Sequence, residues 1–402
     1  MREMDPIRNP YAPGAGQRPP ELAGRDRELD QFGVVLERVE RRRPERSLVL
    51  TGLRGVGKTV LLNALRSAAL DRRWGTGKLE ARPEVSLRRP LSAALHAAAR
   101  ELAPRHRAPE RVEEFLAVLK AFALRSNPAD AKIRDRWQPG IDVPAAVGRA
   151  DSGDMEIDLL ELFTDAGALA ADVGAGVALF IDEMQDLSTV DVSALCAACH
   201  ELSQNGAPLV VVGAGLPHLP SVLSASKSYS ERLFRYVRID RLDRTAADHA
   251  LIAPAKREDA SWTDEALDAM HEISGGYPYF VQAYGKAAWD HAPASPITAE
   301  DVSVAAPEAD AELAVGFFGS RYERATPAER EYLRTMATVG EHTAGEAVPT
   351  ADLATSLGRK PSSLSPARDG LIKKGLIYSA ERGSIAFTVP HFGRWLRSRP
   401  SE

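Results

Sequence analysis

Eight consecutive residues of this chain are spaced for one kind of chemistry. Gly52-Leu53-Arg54-Gly55-Val56-Gly57-Lys58-Thr59 reads G-x-x-x-x-G-K-T and follows the apolar run Ser47–Thr51 directly. Glycines let a backbone turn tightly and aim successive N–H groups at one point. A helix opening there adds partial positive charge. A polyphosphate is the natural guest, with Lys58 reaching its β- and γ-phosphates and the Thr59 hydroxyl offered to Mg²⁺. About 130 residues downstream, Val177-Ala178-Leu179-Phe180-Ile181 runs straight into Asp182-Glu183. An acid ending a buried strand can hold Mg²⁺ through water, which is the role expected of Asp182. Glu183 is then placed to polarise an attacking water. A chance glycine-rich loop, or two acids that merely end a strand, would explain either motif alone but not the ordered pair. The expectation is therefore an ATP·Mg²⁺ site: Gly52 to Thr59 with Val60 as nucleotide ligands, Thr59 and Asp182 as metal ligands, Lys58 and Glu183 as catalytic groups.

Two softer candidates surround this pair. Gly24-Arg25-Asp26-Arg27-Glu28-Leu29 opens a helix, and Arg25 is either a seat for the adenine or part of a solvated charge cluster. Arg232, in Ser228-Tyr229-Ser230-Glu231-Arg232-Leu233-Phe234-Arg235, precedes a short strand. An arginine there can reach the γ-phosphate held by a neighbouring subunit, with Arg235 as second choice; a structural ion pair is the alternative. Cys196 and Cys199 are the only cysteines. Without a second pair they make no zinc site, and their Ala-rich surroundings favour two small buried hydrophobes over a redox couple. Such sparing use of cysteine suits a reducing cytoplasm.

The elements that must position these residues follow from pattern. Ser47–Thr51, Lys78–Val85, Val177–Ile181, Pro208–Val212 and Tyr236–Ile239 read as strands. Helices are expected at Glu28–Arg41, Thr59–Ala69, Leu91–Leu102, Ile157–Val173 and Val190–Leu202, so strand and helix alternate and imply a parallel sheet covered on both faces. Residues 1–22, rich in Pro and Gly, are an irregular arm, disordered or laid along the next domain. The stretch 104–154 has a helix at Arg111–Leu124 and then reads as an insertion or mobile loop. After Arg241 the strands stop. Thr245–Ala294 is helical, interrupted at Ser274-Gly275-Gly276-Tyr277-Pro278. From Thr326 the order becomes helix (Pro327–Val339), helix (Thr350–Leu357), helix (Ser362–Lys374) and a hairpin about Glu381-Arg382-Gly383, the layout of a winged helix-turn-helix. Pro366 is expected to break or restart the third of these helices. With 402 residues, 44% apolar and 27% charged, the chain has material for two or three cores. A net charge of −5 argues against wholesale nucleic-acid binding. Met1–Pro20 has no apolar core for a signal peptide, and no apolar run is long enough to span a membrane.

Taken together, the G-R-D-R-E-L box, the loop at Gly52–Thr59, the strand ending Asp182-Glu183, the Gly213-Ala214-Gly215 strand end and Ser274-Gly275-Gly276-Tyr277-Pro278-Tyr279-Phe280 resemble an AAA+-type ATPase. More narrowly they are similar to the archaeal-type and STAND-class ATPases related to origin-recognition initiators. The resemblance implies an α/β P-loop NTPase core of strand order 5-1-4-3-2 over residues 23–241, a helical lid over 242–325 and a winged helix-turn-helix over 326–402. It also implies lid contact with the base or ribose through Pro278. The chain departs from that pattern in two places. Gly213-Ala214-Gly215 offers no polar sensor at the end of the fourth strand, and the GGYPYF stretch supplies no lid arginine. Both departures favour a slow switch over a fast motor.

In the C-terminal segment, Ser362–Lys374 is the expected recognition helix. Ser362, Ser363, Ser365, Arg368, Lys373 and Lys374 are its candidate contacts, with Arg359, Lys360 and, in the wing, Arg382. From Thr326 onward there are 11 Lys+Arg against 8 Asp+Glu, a mildly basic balance that permits double-stranded DNA as a partner without demanding it. The alternative is a protein-triggered signalling ATPase that forms a homo-oligomer or binds a protein partner, with the winged helix as a packing module.

Overall fold

The computed structural model describes residues 4–14, 16–125, 140–341 and 347–399. Five parallel strands form the central sheet: β1 (Ser47–Thr51), β2 (Gly75–Glu80), β3 (Val177–Asp182), β4 (Leu209–Gly215) and β5 (Phe234–Arg238). Their order, β2-β3-β4-β1-β5, is the expected 5-1-4-3-2 read from the other edge. Helices α1 (Asp26–Glu40) and α2 (Lys58–Asp71) cover one face. Helices α3 (Arg88–Leu102), α4 (Pro109–Leu124), α5 (Met155–Asp172) and α6 (Thr189–Asn205) cover the other. Alternation along β3 makes this two-sided burial possible. Phe180 meets Phe32 of α1 edge-on at 6.2 Å, while Leu179 and Ile181 enter the core beneath α3 and α5.

The second strand lies earlier than Lys78–Val85. Its residues Gly75 and Gly77 are poor strand formers by propensity. The packing explains them: a Cβ on Gly77 would sit 2.5 Å from the carbonyl oxygen of Ala94, and one on Gly75 would be 2.9 Å from that of Ala98. Helix α3 thus lies so close to β2 that only glycine fits. The last strand also starts two residues before the expected Tyr236. Of the stretch read as an insertion, residues 126–139 fall outside the described residues. Ser152 and Gly153 are tied to Asp158, which accepts from Ser152 N at 2.8 Å, Ser152 Oγ at 2.6 Å and Gly153 N at 3.2 Å. Asp158 is fully buried and pairs with Arg88 at 2.8 Å.

Short helices α7 (Leu219–Ser226) and α8 (Ser230–Leu233) lead into β5. Helices α9 (Arg244–Arg257), α10 (Asp264–Ser274), α11 (Pro278–His291) and α12 (Ala299–Leu313) follow. A π-helical turn, Ala314–Gly319, continues α12 into α13 (Ser320–Tyr322). Within the N-terminal arm, residues 4–14 and 16–22 lie along these helices. Trp289 Nε1 donates to Asp5 O at 2.9 Å, and the buried Tyr11 hydroxyl donates to Leu251 O at 2.6 Å.

The last elements are α14 (Pro327–Glu341), β6 (Ala347–Pro349), α15 (Thr350–Ser356), α16 (Pro361–Lys373), β7 (Ile377–Glu381), β8 (Ser384–Phe387) and α17 (Phe392–Ser398). The three helices and hairpin occur in the expected order. Strand β6 and helix α17 are additions that three residues and seven residues of weak pattern did not reveal. β6 pairs antiparallel with β8 to give a small sheet of order β6-β8-β7. Pro366 does not interrupt α16, which runs continuously through it. One missing amide bond near the exposed first turns is outweighed by burial of Leu364 and Leu371 on either side. Among the described residues, no helix is long and apolar enough to cross a membrane.

Candidate functional site

Parallel pairing brings the carboxyl ends of β1, β3 and β4 together: Thr51 lies opposite Gly215, and Ile181 opposite Gly213. The loop leaving β1 therefore emerges beside the two acids that end β3. A crevice at the carboxyl edge of an open parallel sheet is where such folds bind ligands. Gly52 begins that loop because nothing larger fits; a Cβ would fall 2.2 Å from the carbonyl oxygen of Ile239. Gly55 and Gly57 take positive φ of 83° and 89°, and α2 starts immediately after. The first amides of a helix have no carbonyl one turn back, so those of α2 face outward as donors.

The side chains meet as the spacing predicts. Thr59 Oγ1 donates to Asp182 Oδ2 at 2.7 Å, joining the two expected metal ligands directly. Lys58 folds back so that its Nζ donates to Gly52 O at 2.9 Å and Leu53 O at 2.8 Å. Burial pulls its ammonium down to about 8, against the opposing pull of Glu183. Glu183 adopts a left-handed φ of 48° that turns its carboxylate out of the strand. There it pairs with Arg54 Nη1 at 2.9 Å and accepts from Gln185 Nε2 at 2.6 Å. Burial alone would raise the Glu183 carboxyl, but Arg54 and Gln185 outweigh it and hold it below its ordinary range. Asp186 goes the other way, pushed up to about 6 by burial and by Glu183.

Lys58, Thr59 and Glu183 open onto a cleft. Arg54, Gly55, Val56, Gly57, Lys58, Thr59 and Val60 line its floor, with Glu183 at one side and Pro278 and Tyr279 above. Gly52 and Leu53, expected among the nucleotide ligands, lie outside this lining. Gly52 ties β1 to β4 through its N–H to Gly215 O at 3.2 Å. Arg25 is at the wall, but its guanidinium is spent on Val56 O at 3.2 Å and Asp240 O at 2.6 Å. It therefore braces the loop and has little left for a base. Arg232 is exposed on α8 and away from this cleft, and Arg235 binds Gln31. Cys196 and Cys199 are both buried, as the Ala-rich context suggested.

Three contributors escaped the sequence reading. Arg321, just past the π-helical turn, lines the cleft from the lid side; burial and the neighbouring Arg54 pull its guanidinium down to about 10. Its distance from the loop in sequence, across helices α2 to α12, left no signal. Gln185 fills the space that Gly215 leaves open, its Oε1 accepting from Leu216 N at 3.0 Å while its amide holds Glu183. A polar link between the fourth strand's end and the acid is thus present, supplied by the loop after β3. The third is the N-terminal arm, whose Ala12, Pro13, Gly14, Gly16 and Gln17 form one wall of the cleft.

On the outer surface, Ser362, Ser363, Lys360, Lys373 and Arg382 are exposed. Arg359 is paired with Glu331 at 3.1 Å, Arg368 with Asp369 at 3.2 Å and Lys374 with Glu329 at 2.5 Å.

Residues 21–212 match the family described as the AAA ATPase domain, and residues 315–396 match a domain of unknown function, DUF8462. No curated protein matches the chain. Among solved structures, the chain is similar to the Walker-type ATPase paby2304 of Pyrococcus abyssi, with a TM-score of 0.57 and 16% identity over 94% of this chain and 97% of that one. Weaker likenesses, both with a TM-score of 0.44, are to the Thermotoga maritima RuvB Holliday junction branch migration motor and to Aeropyrum pernix Orc1 in complex with DNA. The first is 18% identical over 94% of this chain and 96% of that one, the second 13% over 98% and 96%.

Proposed function

We propose that this chain, whose residues 21–212 match the AAA ATPase domain, binds ATP·Mg²⁺ in the cleft above Gly52–Thr59 and hydrolyses it slowly, as a nucleotide-gated switch. The observation that carries the reading is the Thr59–Asp182 contact at 2.7 Å, between two residues 123 apart in sequence, which supports their use as a pair of oxygen ligands. The donor set suits the guest. Outward amides of α2, Lys58, Arg54 and Arg321 supply positive charge for a triphosphate. Thr59 and Asp182 would hold Mg²⁺, which when bound would neutralise charge on the phosphates. Glu183 is the base that polarises water, and Pro278 with the arm's wall faces the base and ribose. Arg232, exposed and outside its own cleft, is available to a neighbouring subunit's γ-phosphate.

The test is Glu183→Gln: ATP binding is retained and turnover falls by about 10²–10⁴-fold, the usual share of a general base. Equal turnover in variant and wild type removes Glu183 from its role. The switch's output is read by residues 326–402 as a winged helix, which engages double-stranded DNA through Ser362, Ser363, Lys360 and Arg382. A gel-shift titration with ATP, ADP and no nucleotide checks this; absence of a shift in all three rejects DNA. One observation favours a second reading, a cytoplasmic signalling ATPase that assembles on a protein trigger: Arg359, Arg368 and Lys374 are already paired with carboxylates of their own segment. An assembly of Glu183→Gln with ATP, seen by light scattering in protein without DNA affinity, would select it.

A further inference from the structure

The residues after α14 do more than follow the ATPase core; they touch the phosphate loop itself. The backbone N–H of Arg54 donates to Thr388 O, just past β8, at 2.9 Å. A Cβ on Gly375, at the turn between α16 and β7, would stand 2.9 Å from Arg54 Nη2, so the guanidinium lies against that turn. Thr388 is fully buried, and its Oγ1 donates to Gly375 O at 2.6 Å and to Leu376 O at 3.2 Å. The two contacts on Arg54 therefore come from one locked unit. A second point of attachment lies nearby, where Tyr378 of β7 stacks over His218 at 6.3 Å. The other nitrogen of the same guanidinium, Nη1, is on Glu183. Arg54 is thus gripped by the C-terminal segment at its backbone and backed by it at its side chain, while its free end occupies the acid.

We propose that Arg54 is a positioning residue for Glu183: with residues 347–399 seated on the loop, Arg54 holds the carboxylate in an ion pair and keeps turnover low, and unseating them frees it. This rests on the reading of Glu183 as the group that polarises water. A carboxylate engaged by a guanidinium has a poorer lone pair for water and a fixed direction. The like-charged Lys58 and Arg321 on the cleft side leave Glu183 as the favourable place for Arg54 until its support moves.

The experiment offers Arg54 a competing acid. Gly375→Asp puts a carboxylate beside Nη2 at a left-handed position (φ 63°) that aspartate tolerates. Gly358→Asp is the control, with the same charge, the same segment, the same conformation (φ 62°) and nothing within 4 Å of its Cβ. Gly375→Asp is expected to raise kcat by about threefold or more with KM within about twofold, and Gly358→Asp to leave both unchanged. Arg54→Gln, at a part-exposed side chain, gives the same rise in kcat together with a higher KM, because positive charge leaves the cleft, and Gly375→Asp adds nothing further to kcat in that background. No rise in Gly375→Asp or Arg54→Gln, an equal rise in Gly358→Asp, or additive effects of the first two overturns the proposal. If Glu183→Gln turns over ATP as fast as wild type, the underlying reading of Glu183 fails instead, and the two failures are told apart.

Discussion

Tyr11 fastens the N-terminal arm, and removing a single oxygen from it tests whether the arm belongs to the nucleotide site. The side chain is 3% exposed. Its hydroxyl donates to Leu251 O at 2.6 Å and accepts from Trp262 Nε1 at 2.8 Å. Phenylalanine keeps the edge-on packing against Trp262 and Trp289, so Tyr11→Phe isolates the polar contribution. Both partners are then left buried without their bond, at about 1–3 kcal/mol each, for a total of about 2–6 kcal/mol. The loss should fall first on the arm's tip, since Ala12 and Gly16 are each tied by one bond, to Gln282 and Asn63, and neither is buried. Because Ala12, Pro13, Gly14, Gly16 and Gln17 form a wall of the cleft, the arm's loosening should weaken ATP binding. Every 1.4 kcal/mol passed on to the bound state is tenfold in affinity, so a rise in KM of about tenfold or more with unchanged kcat is expected. Urea denaturation and steady-state ATPase kinetics measure both. The deficit should also narrow in alkali: burial raises the wild-type phenol above its ordinary 10.0, so the unfolded chain ionises first and wild-type stability falls above that pH. A stability loss under about 0.5 kcal/mol together with an unchanged KM would refute the reasoning.

Three further outcomes follow from single features. Asp158→Ala strands the Arg88 guanidinium, 7% exposed, without its partner, and should cost about 3–5 kcal/mol in urea denaturation. Burial pushes the Cys196 and Cys199 thiols up to about 12, so neither should react with a thiol reagent at pH 8 until denaturant is added. Arg25→Ala removes the brace on Val56 O and Asp240 O, and should raise KM for ATP more than it lowers kcat, as read from initial rates.

The parts of this protein that local chemistry dictates were legible in its sequence. A loop that must bend around phosphates needs glycines at fixed positions, and a buried strand needs an unbroken apolar run. Gly52–Thr59 and Val177–Asp182 therefore announce themselves, and alternating strand and helix implied the sheet. The Ala-rich setting of Cys196 and Cys199 likewise foretold their burial. Tertiary structure decided the rest, for reasons that operate between distant segments. Gly75 and Gly77 make a strand only because α3 presses its carbonyls against them, a requirement absent from any window around them. Arg321 faces the cleft just past the π-helical turn, and Gln185 reaches Glu183 from the gap at Gly215. Neither type nor spacing marks them, since Leu216, which fixes Gln185, and the loop that Arg321 faces both lie more than twenty residues away in sequence. Arg25 sits where its motif places it, yet folding spends its guanidinium on backbone carbonyls. The pairing of Arg54 with Glu183, under the turn at Gly375, joins three segments that only the folded chain brings within hydrogen-bonding reach.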